Sequence, residues 1–156
     1  MTDASGPAGH KDHFDLSRFI KAQDKVYDRV LAELKSGRKS SHWMWFVFPQ
    51  IHGLGYSSTT QYYSIKSLEE ARRYLDHPVL GKRLKECAET ILALEGLSAS
   101  RIFGYPDDLK LRSSMTLFAR VAEPRSVFIR VLDKYFGGAK DERTIHLLDR
   151  LDKKRG

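Results

Sequence analysis

The sequence predicts an all-α fold, a compact single-domain bundle of about six to eight helices, several of them short. Two observations predict it. Apolar residues recur at spacings of roughly three and four through almost every assignable stretch, the period of a helix with one buried face. Serine, aspartate and proline stand where those stretches begin and glycine where they end, which satisfies the free amides and left-handed exits of helix termini.

Taken in order, residues 1–13 are small and polar and are expected to form a disordered N-terminal tail. The helical domain is expected over 14–151 and a basic C-terminal tail over 152–156. From Ser17 to Lys35, the set Phe19, Ile20, Val26, Tyr27, Val30, Leu31 and Leu34 predicts one long helix stopped by Gly37. Ser67 and Glu70 make a capping box for a helix to Asp76. Pro78 opens a longer one to about Leu94, with Leu80, Leu84, Cys87, Ile91 and Leu94 inward. A short helix is expected at Ser98–Phe103. Pro106, Asp107 and Asp108 start a helix to Val121, Val127–Phe136 repeats an apolar stripe ending at Gly137, and Asp141 caps a last helix through Leu151.

The stretch Ser41–Ser58, SHWMWFVFPQIHGLGYSS, suits a buried strand as well as a buried helix. No second strand is available to pair with it, and a lone strand leaves its backbone groups unsatisfied. A short buried helix ended by Pro49 is therefore expected.

A chain of 156 residues, 41% hydrophobic and 30% charged, is large enough for one core and too apolar to be disordered. No run approaches the roughly 18 apolar residues of a transmembrane helix, and the first residues lack a secretory apolar region, so a cytoplasmic location and no membrane partner are expected. Cys87 is alone, and His42, His52 and His77 show no ligand spacing, so neither metal nor cofactor is expected. The net charge of +7 suits nucleotides, nucleic acid or acidic surfaces without choosing among them.

On helical wheels, some polar residues fall inside apolar stripes, where they need partners. Gln23 lies among Phe19, Val26, Tyr27, Val30 and Leu34. Asp107, Lys110 and Ser114 share the face of Leu111, Leu117 and Phe118, while Arg112, Thr116 and Arg120 are expected to point away. Thr144 lies among Leu147, Leu148 and Leu151. Two of these helices carry their polar groups near the N-terminus, and two such ends converging would make an anion-receptive pocket.

Within Ser41–Ser58, Trp43, Gln50, Gly53, Gly55 and Ser57 bring an aromatic face, an amide, close-approach glycines and a hydroxyl suited to a flat ligand. His42 is a neutral-pH base without an orienting carboxylate. The expected ligand-binding set is thus Gln23, His42, Trp43, Gln50, Gly53, Gly55, Ser57, Asp107, Lys110, Ser114 and Thr144. Its expected ligand is small and anionic, a nucleotide or phosphorylated metabolite. The alternative is a nucleic-acid-binding or protein-interaction module without catalysis, with Arg72, Arg73, Lys82 and Arg83 on outer faces.

KSSHWMWFVFPQIHGLGYSS, SLEEARRYLDHPVLGKRL and FGYPDDLKLRSSMTLF together resemble the bacterial proteins grouped as domain of unknown function 1810, over about Leu16 to Leu148. The resemblance implies a mainly α-helical single domain and carries over no catalytic residue. A calpastatin-like label given to some such proteins does not suit a chain with a core, since an inhibitor of that kind is expected to be disordered.

Overall fold

The computed structural model describes residues 12–155, in which ten helices occur and no strand beyond an isolated parallel bridge between Ile51 and Ile65. They are α1 Ser17–Asp24, α2 Tyr27–Lys35, α3 Met44–Val47, α4 Ser58–Tyr63, α5 Leu68–Asp76, α6 Leu80–Leu92, α7 Ala99–Phe103, α8 Asp107–Val121, α9 Val127–Phe136 and α10 Glu142–Arg155. The all-α bundle is as expected, with α3, α4 and α7 as its short members.

Three boundaries differ from the sequence reading. The Ser17–Lys35 helix is two, because Val26 leaves helical geometry at φ −134° and the apolar stripe continues across the break. The expected N-terminal tail mostly lies outside the described residues, but Asp12 accepts from the amides of Leu16 and Ser17 at 2.6 and 2.9 Å and so leads into α1. At the other end, α10 passes Leu151 and runs to Arg155.

Ser67 caps its helix as the sequence suggests, and three further serines do the same. Ser57, Ser67, Ser98 and Ser126 each accept an amide of the following first turn. Gly137 closes α9 in the left-handed region at φ 59°.

One continuous core contains Phe19, Trp43, Tyr74, Leu84, Cys87, Met115, Phe118 and Phe128. At its centre lies α8, packed by α5, α7, α9 and α10, while α6 packs against α2, α5 and α9. Gly81 makes the α5–α6 approach possible: a Cβ there would lie 1.9 Å from the Leu75 carbonyl oxygen.

Because α10 covers its outer side, α8 is buried around most of its circumference. Thr116, expected to face solvent, is only 1% exposed, and its hydroxyl accepts from the Asp141 amide at 2.9 Å. Arg112 and Arg120 are likewise half-buried, pairing with Asp141 at 3.8 Å and with Asp149 and Asp152 at 2.6 and 2.9 Å. A helix wheel scores the residues of one helix and cannot register a second neighbour packed on its polar side.

Candidate functional site

The segment between α2 and α5 contains only a four-residue and a six-residue helix, so most of its backbone groups need partners outside regular structure. Four buried polar side chains of α1, α2 and α5 supply several of them. Glu33 accepts at Oε1 from the amides of Ser40 and Ser41 at 2.8 and 3.1 Å and from Trp43 Nε1 at 2.9 Å, and at Oε2 from the Ser41 hydroxyl at 2.5 Å. Burial pushes this carboxyl up, but the Ser41 hydroxyl, the two amides and the indole outweigh it and hold the group down at about 2.

Arg18 donates to the carbonyls of Phe14, Asp15, Tyr62 and Ser64 and pairs with Glu70 at 2.8 Å. Glu70 in turn accepts from the Lys66 amide at 2.8 Å, one residue beyond the capping-box position. Gln23, 2% exposed, donates from Nε2 to the Phe46 carbonyl at 2.6 Å and to the Tyr74 hydroxyl at 3.1 Å, and accepts at Oε1 from Arg83 at 3.4 Å.

On this tethered segment lies a cleft of about 570 Å³ lined by Trp45, Phe46, Ser58, Thr59, Tyr62 and Tyr63. Trp45 and Phe46 come from α3, and the other four from one side of α4. The Phe46 and Tyr63 rings meet at 5.4 Å, and Tyr62 packs edge-on against Tyr63 at 4.8 Å. Burial and the neighbouring Tyr62 push the Tyr63 hydroxyl up, against the pull of Arg18, so it stays protonated and able to donate at neutral pH. Lys110 Nζ, from α8, lies 5.2 Å from the Trp45 ring centroid.

The expected site residues divide between this neighbourhood and elsewhere. Trp43, Asp107 and Lys110 come together: Lys39 Nζ lies 5.0 Å from the Trp43 ring centroid and 2.8 Å from Asp107, which lies 3.6 Å from Lys110. Trp43 itself is buried and bonded to Glu33. Gln23 reaches the cleft only through the Phe46 backbone. Gln50 is half-buried, and its carbonyl accepts from the Ile65 amide at 2.8 Å. Ser57 caps α4, and Gly55 packs against Thr60. His42 is exposed.

Gly53 lines a separate cleft of about 280 Å³ with Glu142, Arg143, His146 and Leu147. Thr144 and Ser114 are fully buried, Thr144 donating to Asp141 at 2.5 Å and Ser114 Oγ meeting no partner among the described residues.

The N-termini of α8 and α10 do not share one pocket. Asp141 meets Ser113 and Thr116, in the middle of α8, and fills the start of α10 itself by accepting from the Thr144 amide at 3.0 Å. Thr59, Tyr62 and Tyr63 were not singled out from sequence, because the Ser41–Ser58 window stops where α4 begins. The signal was Ser57, a side-chain cap with Thr60 three residues on.

Comparison with known proteins fits this architecture. The description "Protein of unknown function (DUF1810)" matches residues 13–148, most of the chain. The chain belongs to this family. A crystal structure described as the conserved hypothetical protein Rv1873 from Mycobacterium tuberculosis is 54% identical, with a TM-score of 0.87, covering 88% of this chain and 99% of that one. Among curated proteins, no relative matches the chain. Family membership thus fixes the fold and names no activity. Among the described residues, no helix is long and apolar enough to cross a membrane.

Proposed function

We propose that the Trp45–Tyr63 cleft binds a small ligand combining a flat ring with an anionic group, a nucleotide or phosphorylated metabolite. The observation that carries this reading is the cleft itself, with four aromatic rings and two aliphatic hydroxyls around about 570 Å³, in the size range of small-molecule sites. Its rings offer stacking faces, and Lys110 beside Trp45 offers a cation. Relative to the sequence expectation of a pocket between the 41–58 segment and inward polar residues of three helices, this reading keeps the ligand class and the 41–58 wall, extends that wall by α4 and retains only Lys110 of the inward set. These groups support binding rather than a reaction step.

A thermal-shift screen of nucleoside monophosphates, their nucleosides and phosphorylated sugars tests it. A true ligand at a hundredfold excess over Kd stabilises by about 2.7 kcal/mol, and Trp45→Ala removes the shift. A hit that binds Trp45→Ala as tightly as wild type contradicts the site, and a screen without hits contradicts the ligand class.

A second reading, nucleic-acid binding, draws on the net charge of +7 and on two exposed tyrosines, Tyr62 of the cleft at 55% and Tyr56 at 81% exposure. It requires affinity for single-stranded oligonucleotides that falls steeply with salt. Salt-insensitive binding sinks it.

A further inference from the structure

Two lysines share one carboxylate at the start of α8, and they share it unequally. Asp107 Oδ2 lies 2.8 Å from Lys39 Nζ, whereas Oδ1 is 3.6 Å from Lys110 Nζ, beyond hydrogen-bond distance. Lys39 also donates to the Ser41 carbonyl at 2.6 Å, and its side chain is only 7% exposed, so its charge is committed internally. With Lys39 the closely held partner of Asp107, half-buried Lys110 at the Trp45 ring is the more weakly paired cation of the two.

We propose that Lys110 is the anion-recognising group of the Trp45–Tyr63 cleft and that Lys39 is a positioning residue that keeps Asp107 from neutralising it. Asp107 is then a built-in competitor, and a ligand must present Lys110 with more than a carboxylate does. A phosphate, with charge near −2 and three acceptor oxygens, meets that requirement, whereas a carboxylate only duplicates Asp107. The cleft therefore selects phosphorylated over carboxylated ring compounds. This inference rests on the ligand reading for the use of the cleft, but its charge arrangement is testable without a cognate ligand.

Iodide quenching of tryptophan fluorescence at constant ionic strength reads the local anion concentration, with neutral acrylamide as control. Trp43 is 1% exposed, so the quenched signal is that of Trp45. Lys110→Met is expected to lower the iodide quenching constant about twofold, the effect of one nearby charge in screened water, and Asp107→Asn to raise it about as much. Lys39→Met lowers it although Lys110 is still present, and Lys39→Met combined with Asp107→Asn restores the wild-type value. Inorganic phosphate relieves iodide quenching at lower concentration than acetate does.

An iodide constant indifferent to Lys110→Met or to Lys39→Met overturns the proposal, as does a double variant that fails to restore it. Acrylamide quenching that changes in step with iodide shows loosened packing instead and also overturns it, and equal protection by acetate and phosphate overturns the phosphate preference. Should this ranking hold while no nucleotide stabilises the protein, the nucleotide reading fails and the charge arrangement stands. Nucleotide binding without the ranking refutes the arrangement alone.

Discussion

The α6–α9 side and the α3–α4 segment are stabilised by different means. On the first, long helices satisfy their own backbones and meet through apolar stripes such as Leu84, Cys87 and Ile91 against Phe128, Val131 and Leu132, all buried. On the second, the backbone is irregular and is held by side chains reaching over from α1, α2 and α5: Arg18, Gln23, Glu33 and Glu70. The contrast shows why a mostly apolar bundle keeps Arg18, Gln23, Glu33 and Glu70 among its buried polar side chains. They take the place of a hydrogen-bond ladder for the segment that carries the cleft.

The largest effect should follow from breaking the polar side at its hub. Arg18→Met leaves the buried Glu70 carboxylate without its ion-pair partner, frees the carbonyl of Tyr62 and leaves that of Ser64 to Lys66 Nζ alone. It should cost about 3–5 kcal/mol in urea unfolding. A loss under about 1 kcal/mol would mean that the interior does not depend on this tether.

On the apolar side, Gly81→Ala drives a methyl into the Leu75 carbonyl. It should lower stability by about 3 kcal/mol, through the whole molecule rather than at the cleft. Unchanged stability would show that α5 and α6 can separate without cost.

Glu33 allows a test by pH. Its carboxyl is held at about 2 when folded, against an ordinary 4.5, so its contribution is fully present above about 4.5 and is lost as pH falls through 2. Glu33→Gln should cost about 2–3 kcal/mol at pH 7, and the deficit relative to wild type should shrink on acidification. A deficit independent of pH would assign the loss to packing.

The smallest effect is expected at Gln23. Gln23→Leu removes the donor to the Phe46 carbonyl and should cost about 1–2 kcal/mol while changing the Trp45 emission. An unaltered emission would separate Gln23 from the cleft wall.

The same contrast explains what was legible in the sequence. Long helices announce themselves by period and by end signals such as Ser67 and Gly137, and the α6 stripe is buried as read at Leu80, Leu84, Cys87 and Ile91, with Leu94 half-buried beyond the helix end. Gln23 and Thr144 are buried as the wheels suggest, but a wheel shows only that a polar residue is inward and not which distant backbone group it satisfies. Glu33 and Arg18 drew no notice, since a long charged side chain looks solvated until its partners, Trp43 and Tyr62 among them, are folded against it. The break at Val26 and the helix α4 are tertiary outcomes without a periodic signal of their own.

Amide hydrogen exchange in wild type and Glu33→Gln tests most directly whether interior polar side chains hold the cleft-bearing segment. The amides of Ser40 and Ser41, outside any helix yet bonded to Glu33, should be protected in wild type. In Glu33→Gln they should lose that protection locally while the amides of α6 and α9 keep most of theirs. Wild-type amides at Ser40 and Ser41 that exchange as freely as an open loop, or protection lost evenly through the molecule, would contradict this account.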